Sequence, residues 1–258
     1  MEAVLFEKEG PLGWITLNRP EKRNALSLEL MDAFSMTLDH VALEEDLRVV
    51  IIRAKGPAFC AGHDIKEMCG KEHDIHHFRT IFHRCSELMQ KLHKIPQPVI
   101  AQVHGIATAG GCQLVAACDL AIAESQARFA TPGVRIGLFC STPMVPLMRV
   151  IGRRRAMEML LTGRFVSADE ALQFGLINRV TSLESLGDET RAWAFKIAEA
   201  SRFTLAFGKN AFYRQTDLSE SSAYDYAKEA IALNCLADDA QEGMTAFLEK
   251  RSPVWKNK

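Results

Sequence analysis

The chain has 258 residues, of which 48% are hydrophobic and 24% charged, and both values are typical of a globular protein. Lys and Arg total 31 against 32 for Asp and Glu, so a formal charge of −1 provides no overall field for nucleic acid or an anionic membrane. A chain of this length buries enough surface to fold without disulfides or a structural metal. We therefore expect no nucleic-acid partner, no membrane partner and no metal.

The cysteines and the N-terminus indicate the compartment. The seven cysteines are odd in number and contain no CxxC pair, which is typical of free thiols kept in a reducing environment. The first residues lack both the pattern of a secretion signal and that of a transit segment. We therefore predict a cytoplasmic protein, or one of the mitochondrial matrix if a presequence has been removed.

Strands alternate with helical stretches in the first half of the chain. Residues 14–18 predict a short strand, and Ser27 is placed to cap a helix whose apolar positions follow at helical spacing. Apolar runs at residues 49–52, 99–103 and 120–123, interrupted only by Gln102, predict strands buried on both faces. This alternation predicts an α/β fold.

A weak internal repeat joins two of these strands. When residue 49 is laid on residue 98, Val50 matches Val99 and Gly62 matches Gly111, and each copy has the pattern of a strand, a small-residue turn and a helix. A period near 50 residues is typical of a stacked or spiral core. Beyond residue 150 the sequence is mostly helix-favouring and amphipathic, so a helical C-terminal part is expected.

The turn at residues 107–112 is the most informative segment for chemistry. Its small residues let a ligand approach the backbone, and the helix that follows presents free N–H groups there. Gly110 is followed by Gly111 and Cys112 with no lysine, so the turn is not a phosphate loop of the P-loop type. Two such turns aimed at one oxygen would form an oxyanion hole.

Eight segments of the chain carry specific residues at fixed spacing. They are Ala61-Gly62-x-Asp64-Ile65-Lys66-Glu67-Met68, His104-Gly105-x-Ala107-x-x-Gly110-Gly111-Cys112, Cys118-Asp119, Phe129-Ala130-x-Pro132, Leu161-Thr162-Gly163, Ala168-x-x-Ala171, Gly175-Leu176-Ile177-Asn178 and Glu242-Gly243-Met244-x-Ala246-Phe247-Leu248-Glu249-Lys250-Arg251. Together these segments resemble the crotonase family of enoyl-CoA hydratases and isomerases. The resemblance spans nearly the whole chain, in the family's order.

This resemblance implies the architecture and the partners. The fold would be α/β and crotonase-like (ClpP/crotonase), with a spiral core of repeated ββα units in residues 1–195 that holds the CoA and acyl site. Residues 196–258 would form a helical region for trimerisation. The partners would be an acyl-CoA thioester and further copies of the chain, in a homotrimer or a hexamer built as a dimer of trimers. No separate cofactor is implied, because coenzyme A is part of the substrate, and the context would be acyl-CoA or fatty-acid metabolism.

The resemblance also implies roles for individual residues. The backbone N–H groups of His63 and Gly110 would form the oxyanion hole for the thioester carbonyl. Arg23 would lie near the CoA phosphates, and Phe247 and Lys250 would reach CoA from a neighbouring subunit. The residues implied in CoA binding are Arg23, Ala61, His63, Asp64, Ile65, Lys66, Phe247 and Lys250.

Two positions depart from the family's pattern. Where family hydratases carry two catalytic glutamates, this chain has Gln113 and Gly133. Hydration of an enoyl thioester needs one group to deprotonate water and another to protonate the α-carbon. Glutamine does not exchange a proton near neutral pH and glycine has no side chain. Standard hydration is therefore not expected, and whether the chain turns over a substrate is left open by the sequence.

Three alternatives remain at this stage. The first is an enzyme that uses the oxyanion hole with other groups, such as a malonyl-type acyl-CoA decarboxylase using His63, because decarboxylation needs no base to start. Cys140 and Ser141 are further polar positions near Gly137. The second is a non-catalytic acyl-CoA-binding protein, and the third is residual hydration with Gln113 orienting water.

The sequence also contains a histidine-rich stretch. His73, His76, His77 and His83 do not match a compact zinc pattern, and an exposed helix accounts for them better. A contact between one of them and a substrate remains a hypothesis, because the resemblance places this stretch over the acyl pocket.

Overall fold

The computed structural model describes residues 2–70 and 74–258. The strands in these ranges are β1 (Val4–Glu9), β2 (Leu12–Leu17), β3 (Val49–Ala54), β4 (Val99–Val103), β5 (Ile106–Thr108), β6 (Leu120–Glu124), β7 (Arg128–Ala130), β8 (Val166–Ser167) and β9 (Arg179–Thr181). The α-helices are α1 (Leu28–Leu43), α2 (Ile65–Met68), α3 (Ile75–Lys94), α4 (Gly110–Ala117), α5 (Met144–Ile151), α6 (Arg153–Thr162), α7 (Ala168–Phe174), α8 (Leu183–Ala198), α9 (Arg202–Gln215), α10 (Glu220–Asn234) and α11 (Asp238–Glu249). Short 3-10 helices span Pro20–Lys22 and Pro132–Ile136.

Two sheets form the N-terminal core. The larger has the order β1-β2-β3-β4-β6-β9, in which β1 and β2 are antiparallel and the other neighbours are parallel. The smaller has the order β5-β7-β8. The predicted strands at residues 49–52, 99–103 and 120–123 are confirmed as β3, β4 and β6. The predicted cap is also confirmed, because the Ser27 hydroxyl accepts a hydrogen bond from the Leu30 N–H at 3.2 Å.

The sequence repeat coincides with strand pairing. Val50 pairs with Val99 and Ile51 with Ile100 in the parallel β3–β4 ladder, the same alignment that the repeat gives. A parallel bridge between Cys60 and Ala107 continues the pairing into the smaller sheet. The repeated strands therefore lie side by side, and the turn that follows each one reaches the same edge of the core.

Helices cover both faces of the larger sheet. One face packs on α1, α3 and α4 through a large buried cluster that includes Phe34 and Leu88. The other face packs on α8, whose Leu186 and Ala194 contact a second cluster with Trp14 and Ile100. Helix α8 spans the domain boundary predicted between residues 195 and 196. This helix belongs to the sheet's packing, and the division of the chain into a core and a helical region stays a prediction.

The C-terminal helices α9, α10 and α11 leave many apolar side chains exposed. Phe247 is 82% exposed, Leu248 80% and Leu236 77%, whereas α1 buries all of its large apolar side chains except Leu28, Met36 and Leu43. In the described part of the chain, no helix is long and apolar enough to cross a membrane.

Candidate active site

A cavity of about 850 Å³ opens between the two small-residue turns and the segment that follows β7. Its walls come from α2, α3, the first residues of α4, and residues 132–143. Most of its lining side chains are apolar, and no Asp or Glu among the described residues lines it. The apolar side chains are Ile65, Met68, Phe82, Ile136, Leu138 and Phe139.

The first turn presents the backbone of His63 to the cavity. The Leu26 N–H donates to the Gly62 carbonyl at 2.7 Å, and the Asp64 N–H donates to the Leu26 carbonyl at 3.1 Å. This parallel bridge uses the backbone groups on either side of His63. The His63 N–H itself has no acceptor among the described residues.

The second turn ends at Gly110, the first residue of α4. The Ala109 N–H donates to the Ala130 carbonyl at 2.9 Å, and Ala109 has φ +48° and ψ −114°, a strained conformation for alanine. Because the first N–H groups of a helix have no intrahelical acceptor, the Gly110 N–H is free to bind a ligand. Among the described residues, no group accepts a hydrogen bond from the Gly110 N–H.

Glycines bring the two turns into contact. A Cβ at Gly62, where φ is +95°, would lie 2.9 Å from the Ala109 Cβ and 3.3 Å from the Gly110 nitrogen. A Cβ at Gly111 would lie only 2.1 Å from the Cys60 carbonyl oxygen. Only glycine permits this approach, so the N–H groups of His63 and Gly110 lie on the same wall of the cavity.

The His63 side chain fills the space beside this pair of donors. Its Nδ1 and Cε1 atoms lie 3.2 Å from the place where a Cβ of Gly110 would stand. Its other side meets the Phe82 ring edge-on, with the ring centroids 5.2 Å apart. Burial lowers the pKa of His63 to about 4, so the imidazole is neutral at physiological pH. Its Nε2 is buried and has no hydrogen-bond partner among residues 2–70 and 74–258.

Gln113 does not line the cavity. It is buried one turn into α4, where the nearest polar partner of its Oε1 is the Cys85 thiol, whose sulfur lies 3.9 Å away. The Gln113 side chain, which the resemblance aligned with the first glutamate of the hydratases, therefore contacts α3. The hypothesis that Gln113 orients a water molecule has no support from this arrangement.

Gly133 lines the cavity, but the chain fills the space where a side chain would stand. A Cβ at this position would lie 2.8 Å from the Leu138 carbonyl oxygen and 2.9 Å from the Cys140 sulfur. Burial raises the pKa of the Cys140 thiol, and a hydrogen bond from Gly133 opposes this rise. Ser141 also lines the cavity, with its hydroxyl donating to the Phe139 carbonyl at 3.2 Å.

Four of the residues implied in CoA binding lie along or beside the first turn. Ala61 and Ile65 line the cavity, and the Ala61 N–H donates to the Arg23 carbonyl at 3.0 Å, which places the exposed Arg23 beside this segment. Lys66 is exposed on α2 and directly follows Ile65, which lines the cavity. These positions suit a path for a polyanionic ligand along the first turn.

Asp64 has a structural role in this chain. Its carboxylate accepts from the Lys66 N–H at 3.1 Å, which caps α2, and lies 3.6 Å from the Arg19 guanidinium. Arg19 also donates to the Ala25 carbonyl and to the Ser27 hydroxyl. The carboxylate therefore already has two partners, and the contact of Asp64 with CoA stays a prediction.

Phe247 and Lys250 lie at the C-terminal end of α11, on the exposed surface of the chain. Neither lines the cavity. Their predicted contribution to CoA binding requires a second copy of the chain.

The histidine-rich stretch is only partly described. His73 lies outside the described residues, and His76 and His83 are exposed on α3. His77 Nε2 lies 2.7 Å from the Glu67 carbonyl oxygen, so this residue links α3 to the end of α2. Within residues 2–70 and 74–258, no group of three His, Cys, Asp or Glu is placed to hold a metal ion.

The sequence did not single out Phe82, Cys85 or Arg19. Phe82 and Cys85 lie three residues apart on α3, where the apolar spacing predicts packing but not which site is packed. Arg19 is one of three cations in a turn, and the sequence does not show which of them is paired.

Comparisons with known proteins agree with this geometry. The family described as Enoyl-CoA hydratase/isomerase matches residues 7–258. The mitochondrial enoyl-CoA hydratase domain-containing protein 3 of Danio rerio is 49% identical over 255 residues, covering 98% of this chain and 88% of that protein. A probable enoyl-CoA hydratase of Mycobacterium tuberculosis is 34% identical over 258 residues, covering 100% of this chain and 99% of that protein.

Solved structures give the same result. The enoyl-CoA hydratase of Mycobacterium smegmatis superposes with a TM-score of 0.95 at 46% identity, covering 98% of each chain. The human enoyl-CoA hydratase domain-containing protein 3 superposes with a TM-score of 0.95 at 44% identity, covering 98% of this chain and 100% of that chain. The fold is therefore the crotonase fold of these enoyl-CoA hydratases.

Proposed function

The chain belongs to the enoyl-CoA hydratase/isomerase family, and we propose that it binds an acyl-CoA thioester and polarises the thioester carbonyl between the N–H groups of His63 and Gly110. Acyl-CoA metabolism is the matching context. No separate cofactor is proposed, because coenzyme A enters as part of the substrate.

The observation that carries this proposal is a pair of backbone N–H groups, without acceptors among the described residues, on one wall of a mostly apolar cavity. Backbone donors held in place by the fold stabilise the negative charge that develops on a carbonyl oxygen. The loss of one such donor typically costs roughly 10²–10³ in rate. Both turns are fixed by backbone hydrogen bonds before any ligand arrives, so little reorganisation opposes binding.

We further propose that ordinary enoyl hydration is slow or absent. Gln113 faces Cys85, Gly133 has no side chain, and no described carboxylate lines the cavity. His63 remains as a titratable group there, but a pKa of about 4 makes it a weak base.

Two measurements test these statements. Calorimetric titration with acetyl-CoA measures binding, and a steady-state assay on crotonyl-CoA measures hydration. We expect binding, with crotonyl-CoA turnover far below the roughly 10 per second of a typical enzyme. Turnover at or above that rate would refute the absence of ordinary hydration.

A matched pair of variants tests the oxyanion hole itself. Gly110→Pro removes the N–H at a helix position that tolerates proline, whereas Gly110→Ala adds the same Cβ and keeps the N–H. We expect Gly110→Pro to bind acetyl-CoA about five- to tenfold more weakly than Gly110→Ala, since one hydrogen bond is lost. Equal affinities in two folded variants would show that the Gly110 N–H does not bind the thioester.

Decarboxylation of a malonyl-type thioester is the second candidate activity. The absence of a described carboxylate from the cavity lining favours it, because loss of CO₂ needs an electron sink for the enolate but no base to begin. An assay on methylmalonyl-CoA tests it. Binding of acetyl-CoA with no turnover of either substrate would instead identify a non-catalytic acyl-CoA-binding protein.

We also propose that the chain assembles with itself, as a trimer or as a hexamer of two trimers. The exposed apolar side chains of α9, α10 and α11 support this, because a contiguous apolar surface on a folded chain commonly marks an interface. Assembly would bring Phe247 and Lys250 to a neighbouring cavity. Light scattering coupled to size exclusion tests the assembly, and a monomer at micromolar concentration would refute it.

For its compartment we propose a reducing one. All seven cysteines are free thiols, and five of them are buried. The vertebrate relatives are named as mitochondrial proteins.

A further inference from the structure

The last helix, α11, makes little apolar contact with the rest of its own chain. Two of its twelve residues, Asp239 and Ala246, are buried, and one of these two is an aspartate. Hydrophobic stabilisation scales with the apolar area removed from water, so one buried alanine contributes little to holding a helix in place. The position of α11 on the protomer therefore depends on polar contacts.

The chain after α11 turns back along the helix. Lys250 ends α11 in the left-handed conformation, with φ +55°, and residues 252–258, which we call the tail, run back toward the start of the helix. The Val254 N–H donates to the Glu242 carboxylate at 2.8 Å, and the Trp255 ring packs against the middle of α11. The tail therefore lies against α11 over most of the helix length.

The Asp239 carboxylate joins the tail to the starts of α11 and α9. It is 2% exposed and accepts hydrogen bonds from the N–H groups of Lys256 at 2.6 Å and Asn257 at 2.9 Å. The hydroxyl of Ser201, the residue before α9, donates to the same carboxylate. Hydrogen bonds to an ionised acceptor are roughly twice as strong as neutral ones. Three donors of the C-terminal region thus depend on this one side chain.

Two further hydrogen bonds attach the tail to the segment between α8 and α9. The Trp255 indole N–H donates to the Glu199 carbonyl at 2.7 Å, and the Arg202 N–H donates to the Asn257 side-chain oxygen at 3.1 Å. Because α8 packs on the larger sheet, this series of contacts runs from the sheet through the tail to α11. Together with the Asp239 carboxylate, these contacts form a latch that holds α11.

The position of the first turn of α11 determines where its other end lies. Phe247 and Lys250, whose side chains are exposed, lie at that other end. At 1.5 Å per residue, Lys250 is about 16 Å along the axis from Asp239, so a tilt of about 15° at the first turn moves it by about 4 Å. Such a movement is larger than the length of a hydrogen bond.

We propose that Asp239 is a positioning residue, which fixes α11 so that Phe247 and Lys250 meet the nucleotide end of a CoA held by a neighbouring copy of the chain. The partners of its carboxylate belong to its own protomer, so it acts through α11. This inference rests on the proposed acyl-CoA binding and assembly, and it adds the residue that keeps the neighbour's contribution in place.

Hydrogen exchange followed by mass spectrometry tests the latch without any ligand. Asp239→Asn keeps the volume of the side chain, but it removes the charge and sets an NH₂ group against backbone donors. We expect the amides of α11 to exchange about tenfold faster or more, and those of β3 and β4 to be unchanged. Unchanged exchange in α11 overturns the inference.

Two other variants support this measurement. Asp238→Asn is the matched control, because Asp238 is the preceding residue and is exposed, with its carboxylate 3.6 Å from the Lys258 ammonium. It should leave the exchange of α11 unchanged. Trp255→Phe keeps an aromatic ring on α11 and removes the hydrogen bond to Glu199, so we expect a smaller rise in exchange. This variant carries the test if Asp239→Asn does not fold, and an unchanged exchange in α11 would then overturn the inference.

A pair of thioesters tests the positioning. Acetylpantetheine has the thioester and the pantetheine arm of acetyl-CoA but lacks the nucleotide. We expect Asp239→Asn to weaken acetyl-CoA binding by about tenfold in calorimetry, the effect of one hydrogen bond to a charged group, and to leave acetylpantetheine binding unchanged. An equal loss for both ligands would show a general distortion of the cavity and overturns the inference.

A double-mutant cycle shows whether Asp239 acts through Lys250. Lys250→Met alone should weaken acetyl-CoA binding by about tenfold, and it should cause no further loss in the Asp239→Asn variant, because Lys250 is already displaced there. Losses that add overturn the inference. Failure of the unaltered chain to bind acetyl-CoA would refute the proposed function and this inference together. Binding that Asp239→Asn leaves unchanged would refute this inference alone.

Discussion

The polar groups near the two ends of α4 (Gly110–Ala117) differ in whether they have hydrogen-bond partners. At the N-terminal end, the N–H groups of His63 and Gly110 and the Nε2 of the His63 ring have no hydrogen-bond partner in the described part of the chain. Just past the C-terminal end, the Asp119 carboxylate lies 2.7 Å from the Lys209 ammonium and accepts from the Tyr213 hydroxyl at 2.7 Å. Unpaired groups at one end leave hydrogen-bonding capacity for a ligand, whereas paired groups at the other end hold the helix to the core.

The paired end is complete in itself. Lys209 also donates to the carbonyls of Leu92 and Gln97, at 2.7 and 2.8 Å, and the Val99 N–H donates to Asp119 at 2.7 Å. Burial lowers the pKa of Lys209, and the charge of Asp119 opposes this effect. This network joins α9 to the end of α3 and to the starts of β4 and β6, so it connects the C-terminal helices to the sheet.

The largest expected effect comes from breaking this network. Lys209→Met leaves the Asp119 carboxylate without its cation in a mostly buried position, and we expect the free energy of unfolding to fall by about 3–5 kcal/mol. Urea unfolding followed by circular dichroism measures this. The control is Lys228→Met, which removes an exposed ion pair with Asp225 and should change the free energy by about 0.5 kcal/mol or less. Similar small losses in both variants would show that the network does not stabilise the fold.

The second-largest effect is expected from a substitution that forces the two small-residue turns apart at the N-terminal end of α4. Gly111→Ala places a Cβ 2.1 Å from the Cys60 carbonyl oxygen, so the backbone must move. We expect a loss of about 2–3 kcal/mol in unfolding free energy, together with weaker acetyl-CoA binding. Gly187→Ala is the matched control, because it lies in α8 with no atom within 4 Å of its Cβ position. That control should be neutral or slightly stabilising, since alanine favours helix more than glycine does. Tolerance of Gly111→Ala without loss of binding would contradict the required close approach.

The sequence predicts the strands and the two small-residue turns next to α4, but not the directions of the side chains. The strands β3, β4 and β6 were predictable because short, mostly apolar runs that contain β-branched residues are typical of buried parallel strands, and the repeat aligned β3 with β4 as the sheet does. The two small-residue turns were predictable for the same local reason. The directions of side chains were not, because Gln113 facing Cys85 and Asp64 pairing with Arg19 depend on segments distant in sequence. The packing of α8 on the sheet was not predictable either, because an amphipathic helix shows that it packs, but not on which partner.

A third change places a charge between the two ends. Gln113→Glu puts a carboxylate at a position only 3% exposed, where burial raises its pKa above the unfolded value near 4.3. Because the folded protein favours the protonated form of this carboxyl group, the variant loses stability as the pH rises through 4.3 and above. We expect a loss of about 2 kcal/mol at pH 7 that shrinks toward pH 4.

The control for this change is Gln113→Met, which has a similar volume and no charge. Its stability difference from the unaltered chain should not vary between pH 4 and pH 7. A pH-independent loss in Gln113→Glu would show that the carboxylate reaches solvent or finds a partner.

The smallest expected effect concerns the His63 ring, where the unpaired end has its titratable group. The folded pKa of about 4 lies below the unfolded value of 6.5, so between these values the unfolded chain binds more protons than the folded one. Stability from this residue is therefore present above pH 6.5 and is lost as the pH falls toward 4. We expect a contribution of about 1 kcal/mol between pH 7 and pH 5, smaller than the full shift implies because the ring borders an open cavity. Urea unfolding of the unaltered chain and of His63→Phe at both pH values isolates it, since the phenylalanine variant lacks the titrating group. The same pH dependence in both variants would place the titration at another residue.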